Sequence, residues 1–449
     1  MTQDLHVWLA KYQAEHPGDV LVVTDEVSAD QDVTALVWEL AARGREEMVV
    51  LPNVRGLGVE LVTNVFASRR RVARLLGTDT AGLHAAYQSR ASHLLPPRVV
   101  PTGPVLDQVV AGGGVDLSSV PMITHFQSDR APYITSGIVY AEHPGTGAGN
   151  LSYHRAMLHG RDELATSLHS RGHLWRMLLA AGDRPLPAAM VVGGHPLFML
   201  AASARVGEGT DERAIAGGLF GEPLEVVLTP RYGLGVPATA DLVLEGVIDP
   251  RQTVEEGPFG EFTGYSSDRT TNTLFRVEAV LRRRDALLLD VVGGNSAEHL
   301  NLSRIPRESE MAARLTERFP GVTALHYPNS GVHFHCYVAV RQLRAGEARQ
   351  VMLALLGWDP YLKLVVAVDD DVDVTNDSQV LWAVAAHVQP DRDCFTIGGL
   401  PGSALDPSSS PTGATSRMAV DATRGPGFDA RRIEISDRAR ATATRLLGP

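Results

Sequence analysis

Apolar residues recur at helical spacing over residues 4–16, and the next apolar run, GDVLVVTD, is short and β-branched, which reads as a strand. The alternation continues with a helix over 30–43, a strand in MVVLPNV and two helices over 61–94. These elements predict a small α/β unit over residues 1–103, closed by the Pro-rich stretch LLPPRVVPTGP. Strand signals then dominate: ITSGIVYAEH, LPAAMVVGG, LEVVLTP, ADLVLEGVI, and a pair, LFRVEAVL and ALLLDVV, joined by a turn at 282–285. With one helix expected over 166–181, this is a β-rich middle domain over 104–302. From 303 a helix to 318, the strand GVHFHCYVAV, the helix GEARQVMLALL, the strand KLVVAVDDDVDV and the helix DSQVLWAVAAHV predict a further α/β domain over 303–449, ending in a helix over 428–447. The fold class is therefore mixed α/β and β.

Composition narrows the function. At 449 residues and 44% hydrophobic content the chain can bury several cores. A net charge of −11, with no basic run longer than Arg69–Arg71 or Arg282–Arg284, argues against a nucleic-acid partner. No apolar run reaches membrane-spanning length and the N-terminus lacks a signal-peptide core, so no membrane partner is expected. Two cysteines, Cys336 and Cys394, form no disulfide framework and suit a reducing cytoplasm.

The densest chemistry lies in VEEGPFGEFTGY, residues 254–265, where Glu256 and Glu261 bracket Gly257-Pro258-Phe259-Gly260. Proline fixes φ and glycine permits sharp reversal, so the turn can bring both acids into one small volume. Two carboxylates in one pocket do not ionise equally: a neighbouring cation keeps one charged, and burial beside a like charge favours the protonated form of the other. Arg155, in NLSYHRAML, is the cation such a pair needs, because guanidinium grips carboxylate and stays charged. Asn150 lies five positions before Arg155 and would face the other way on a regular strand, so the two share a site only across a bulge or strand end. His173 opens the apolar run LWRMLLAAG, which reads as a helix start, a place suited to a phosphate or to a metal bridging to one. By itself Glu212 reads as a surface helix acid.

Taken together, Asn150, Arg155, His173, Glu212 before AIAGGLFGEP, and EGPFGEFTGY resemble the UbiD family of decarboxylases, and VVAVDDDVDVTN and SRMAVDAT extend the similarity over most of the chain. The resemblance implies reversible, non-oxidative decarboxylation (EC 4.1.1, a carboxy-lyase) of an aromatic, heteroaromatic or α,β-unsaturated carboxylic acid. It implies prenylated FMN as cofactor, supplied by a flavin prenyltransferase, and Mn2+ or Mg2+ tying its phosphate to the protein, with K+ as a further candidate ion. It implies Asn150, His173 and Glu212 as metal ligands, and Arg155, Glu256 and Glu261 as a catalytic Glu-Arg-Glu set. Thr135, Ser152, Tyr153, His154 and Ser203 fall where the family wraps the flavin. The middle domain becomes a split β-barrel holding it, and the C-terminal domain serves self-association into a homodimer or larger assembly.

The chemistry agrees with that assignment. Loss of CO2 from an sp2 carbon leaves a carbanion that no side chain can delocalise, so a cofactor must act as electron sink. The chain departs from the family where Gly172 replaces a frequent Gln, and where Arg417 stands for a frequent Lys with phosphate binding expected to survive. At the substrate end, His299 and Arg307 stand at the spacing of heteroaromatic-acid members such as furandicarboxylate and pyrrole-carboxylate decarboxylases, and would suit a ring nitrogen, a ring oxygen or a second carboxylate. Phe262 is expected to wall the ring. His333 and His335 alternate as if on one strand face and read as a structural pair. The rival classes are a metal-dependent hydrolase with the same ligands and a catalytically silent scaffold.

Overall fold

The computed structural model describes residues 2–168, 172–268, 270–341, 344–410, 413–425 and 427–447. Near the N-terminus, helices Leu5–Glu15 and Asp32–Ala42 accompany a four-stranded sheet. Asp4 caps the first helix by accepting from the N–H groups of His6 and Val7. Residues 61–94 are not two helices alone: Leu61–Thr63 is a strand of this sheet, followed by helices Arg69–Leu75 and Leu83–Ala91. All three strand residues are buried, and a run that is buried on both faces has no periodicity separating strand from helix.

The ALLLDVV segment also differs from expectation. Leu288–Leu289 does not form a hairpin with the preceding strand but pairs in parallel with strand Leu61–Thr63 of the N-terminal sheet, Leu288 opposite Leu61 and Leu289 opposite Val62. The chain thus returns to its first sheet before entering the long helix Ala297–Arg318, which starts earlier than residue 303 and runs across the expected domain boundary.

The middle of the chain forms a nine-stranded sheet whose central members are the long antiparallel strands Leu242–Glu256 and Thr270–Arg282. It is an open sheet rather than a barrel closed by hydrogen bonds, with Gly149–Tyr153 at one edge and Tyr133–Ile134 at the other. Thr166 ends the strand Glu163–Thr166, and the helix expected over 166–181 occupies His173–Ala181. Ser170 and Arg171, read as the break before it, lie outside the described residues.

The C-terminal region is a five-stranded sheet carrying helices Glu347–Trp358 and Asp377–His387. Two of its strands, Val322–His326 and Cys394–Pro401, have no clear signal in the sequence, since the first mixes exposed and buried positions irregularly and the second has only half-buried and exposed ones. The strand read from residue 331 begins at His335, so His333 sits in the turn before it and not on one face with His335. The terminal helix spans Asp437–Leu447.

Candidate active site

The strand Leu242–Glu256 delivers Glu256 at its last residue, and the chain turns through a cis Gly257–Pro258 peptide into the short strand Phe259–Gly260. Gly257 has φ of +90°, a backbone that a side chain would strain, and a Cβ on Gly260 would sit 2.4 Å from the Phe126 ring. The turn places Glu261 beside Glu256 as the sequence predicts.

Arg155 joins the two acids. Its Nε donates to Glu256 Oε1 at 2.8 Å and its Nη2 to Oε2 at 3.0 Å, while Nη1 donates to Glu261 Oε1. Strand Gly149–Tyr153 stops, and Ala156–Leu158 starts a new one, so His154 and Arg155 occupy the irregular step that the spacing requires. Tyr133 Oη donates to Glu256 Oε1 at 3.0 Å and Asn272 Nδ2 to Oε2 at 2.8 Å. Glu256 is thus fully buried, and four donors fill its two oxygens. Burial works against the Arg155 charge, yet Glu261 and Glu256 outweigh it and hold the guanidinium protonated beyond its ordinary range. Burial, then the Glu256 charge, pushes the Tyr133 phenol up, so it remains a donor. The Arg155 guanidinium lies 4.6 Å from the centroid of Phe259. Glu261 has a second oxygen with no partner among the described residues.

The other predicted side chains meet around a cavity of about 840 Å³, whose wall includes Asn150, Gly172, His173 and Glu212. Asn150 Nδ2 donates to Ser152 Oγ at 3.0 Å, and Ser152 Oγ lies 3.0 Å from His154 Nε2, whose Nδ1 donates to the Ser167 carbonyl at 3.1 Å. This chain fixes the amide and leaves Asn150 Oδ1 unengaged. Glu212, the first residue of helix Glu212–Phe220, is 3% exposed and is no surface acid. It accepts the Leu151 N–H at 2.7 Å and forms no ion pair among the described residues; burial, only partly offset by that N–H and the Arg213 charge, pushes its carboxyl up to about 7. No three His, Cys, Asp or Glu side chains cluster among the described residues, so a cation here would depend on the Asn150 oxygen as well as His173 and Glu212. An amide oxygen, an imidazole and a desolvated carboxylate outside any ion pair form a donor set that fits Mn2+ or Mg2+.

The flavin-shell residues are placed variously. Tyr153 lines the cavity and donates to the Met199 carbonyl at 3.1 Å; Ser203 caps the helix that ends at Ala202. Thr135 donates to Asp290, which also meets buried His125. Arg417 is 4% exposed and spends Nη1 and Nη2 on the carbonyls of Leu356, Asp359, Pro360 and Pro401; Pro360 and Pro401 line the cavity, and Arg417 lies behind that wall without lining it.

At the expected substrate end, Phe262 packs at 4.5 Å against His333 and at 6.3 Å against Tyr361, which also lines the cavity. His299 lies edge-on to His333 at 6.2 Å. His299 Nδ1 is 3.0 Å from the Gly294 carbonyl, which only accepts, so Nδ1 carries the proton; burial lowers its pKa, and the neutral ring presents Nε2 as an acceptor. Arg307, by contrast, is closed onto Asp359 through Nε and Nη2, with Tyr327 Oη also on Asp359 at 2.8 Å.

Tyr133, Asn272, Tyr361 and His333 carry no motif, and sequence reasoning placed none of them at the site. Tyr133 stands two residues before Thr135, but nothing local marks its hydroxyl as a partner of Glu256.

Comparison with known proteins gives the family. Three consecutive family profiles match: the 3-octaprenyl-4-hydroxybenzoate carboxy-lyase N-terminal domain over residues 12–90, its Rift-related domain over 98–296 and its C-terminal domain over 301–422. The chain belongs to the UbiD family of carboxy-lyases. It is 32% identical to an anhydromevalonate phosphate decarboxylase of Aeropyrum pernix, over 92% of this chain and 93% of the relative, and 31% identical to one of Methanosarcina mazei over 82% and 85%. Among solved structures it resembles the UbiD-class enzyme HmfF of Pelotomaculum thermopropionicum in complex with FMN, with TM-score 0.91, 31% identity and coverage of 97% and 98%. It also resembles the vanillic acid decarboxylase of Sedimentibacter hydroxybenzoicus, with TM-score 0.85, 26% identity and complete coverage of both chains. Among the described residues no helix is long and apolar enough to cross a membrane.

Proposed function

We propose that this carboxy-lyase decarboxylates an aromatic, heteroaromatic or α,β-unsaturated acid with prenylated FMN, using Glu256, Arg155 and Glu261 to manage charge and a proton. The observation that carries the reading is Arg155 bridging two buried carboxylates, one saturated with donors and one with a free oxygen, on the segment that also supplies Asn150 to the cavity. When bound, prenylated FMN supplies the electron sink for the carbanion left by CO2. Asn150, His173 and Glu212 would hold the divalent ion at its phosphate; one carboxylate with two neutral ligands leaves about one positive charge facing that dianion. Arg155 keeps Glu256 ionised, and Glu261, tethered by a single donor, is the acid that returns a proton to the carbon that lost its carboxylate.

The substrate end favours a donor-bearing monoacid. His299 offers an acceptor lone pair, which suits a ring N–H or hydroxyl better than a furan oxygen, and Asp359 already occupies the Arg307 guanidinium that a second carboxylate would need. Self-association is supported by the C-terminal arm, where Ile433, Ile435, Leu446 and Leu447 are all solvent-exposed, and one solved relative is an evolved dimeric form of HmfF. The buried free Cys336 fits a reducing cytoplasm. The test is co-expression with a flavin prenyltransferase: the purified protein should absorb in the visible and release CO2 from aromatic or unsaturated acids. A colourless protein that releases no CO2 after loading with cofactor and Mn2+ would defeat the reading.

A further inference from the structure

The cavity that holds Asn150, His173 and Glu212 needs a partner for an anion, and the arginines around the site are nearly all engaged. Arg155 is held by Glu256 and Glu261, and Arg213 by Asp211 at 2.7 Å and by the Gly235 carbonyl at 2.9 Å. Arg307 is closed on Asp359, Arg304 on the Tyr327 and Pro328 carbonyls, and Arg417 on four carbonyls. Arg417 is where the sequence leads one to expect a phosphate-binding cation, but its Nη1 and Nη2 are taken by those carbonyls and its unpaired Nε is buried, so no donor reaches the cavity surface.

Arg205 differs from all of these. It follows helix Pro196–Ala202, lines the same cavity as the Asn150, His173 and Glu212 side chains, and is solvent-exposed. Its guanidinium lies 5.3 Å from the centroid of Tyr361, another wall residue, and no carboxylate or carbonyl among the described residues takes its N–H groups. An arginine stacked on a ring with its donors free is prepared for bidentate contact with a planar or tetrahedral oxyanion. We propose that Arg205 is the cation that grips a phosphomonoester dianion in this cavity, a role that the Arg417 side chain cannot fill.

The proposal rests on the flavin reading above. The dianion has two possible sources with the same chemistry: the phosphate of the flavin mononucleotide, or a phosphate on the substrate of the kind named in the curated relatives. Both would meet an unpaired guanidinium at the wall of one cavity.

The experiment compares wild type, Arg205→Ala and Arg205→Lys, each with Mn2+, by flavin fluorescence quenching with FMN and with riboflavin, and by thermal shift of the FMN-saturated protein with inorganic phosphate. Because Arg205 is exposed, the variants should keep the wild-type melting temperature without ligand. If the flavin phosphate is the ligand, Arg205→Ala binds FMN about 10- to 100-fold more weakly, riboflavin binding is unchanged and Arg205→Lys recovers part of the loss. If the substrate phosphate is the ligand, FMN binding is unchanged, and phosphate raises the melting temperature of FMN-saturated wild type but not of Arg205→Ala. Equal behaviour of wild type and Arg205→Ala in both assays overturns the proposal while leaving the flavin reading intact. Wild type that fails to bind FMN at all overturns the flavin reading, and the proposal with it.

Discussion

Glu256 and Glu212 are both deeply buried carboxylates reached from the same nine-stranded sheet region, yet four side-chain donors surround the first and one backbone N–H reaches the second. On the Glu256 side, Arg155, Tyr133 and Asn272 complete the electrostatics from the chain's own residues. On the cavity side, Asn150 Oδ1, the His173 ring and Glu212 form no ion pair among the described residues. A finished ion-pair unit needs nothing to be stable, whereas a desolvated carboxylate with no cation is costly until a ligand arrives. The difference separates the part of the site that handles a proton from the part that awaits a cofactor and its metal.

Removing the proton donor should have the largest effect on turnover. Glu261→Gln is expected to lower the rate of CO2 release by about 10²- to 10⁴-fold while FMN fluorescence quenching stays as in wild type. Retained turnover in this variant would remove Glu261 from the role assigned to it.

The two buried acids should then respond oppositely in chemical denaturation. Glu256→Gln leaves the Arg155 charge under-compensated and should cost about 3–5 kcal/mol of stability. Glu212→Gln removes a carboxylate whose ionised form is disfavoured by burial, so metal-free stability at pH 8 should hold or rise, while the Mn2+-dependent increase in melting temperature disappears. A similar loss from both substitutions would erase the contrast between the two regions.

A third buried acid tests how far desolvation alone governs this core. Glu298, with no exposed surface, accepts from Thr63 Oγ1 and the N–H groups of Val65 and Val292, but burial, the largest influence, pushes it up to about 7. The folded state therefore holds its proton more tightly than the unfolded chain, whose ordinary value is 4.5. The stabilisation is fully present below that value and is lost as pH rises through about 7, roughly 3 kcal/mol at the full shift. Urea denaturation of wild type and Glu298→Gln between pH 4.5 and 8 should show the slope in the former and flatten it in the latter.

The smallest expected effect concerns selectivity. His299→Leu removes one neutral acceptor, and should reduce the preference for a pyrrole-type acid over the matching furan acid by about 10-fold in kcat/KM, the size of one hydrogen bond. An unchanged ratio would mean that the Nε2 lone pair does not face the ring.

Much of this site was legible in the chain. The acids across Gly257-Pro258-Phe259-Gly260, the required strand break before Arg155 and the helix start at His173 after Gly172 are all local consequences of φ restriction, side-chain alternation and apolar patterning, and the structure has each of them. What the residues by themselves determined was therefore the chemical inventory and the local geometry that presents it. Tertiary structure decided the rest: that Leu288–Leu289 joins the first sheet, that Glu212 is buried, that Tyr133 and Asn272 converge on Glu256, and that Arg307 and Arg417 are spent elsewhere while Arg205 is free. Those outcomes depend on partners more than a hundred positions apart in several cases. A side chain's type shows what it can bind, but only packing fixes which of its possible partners is within reach and how much water remains around it.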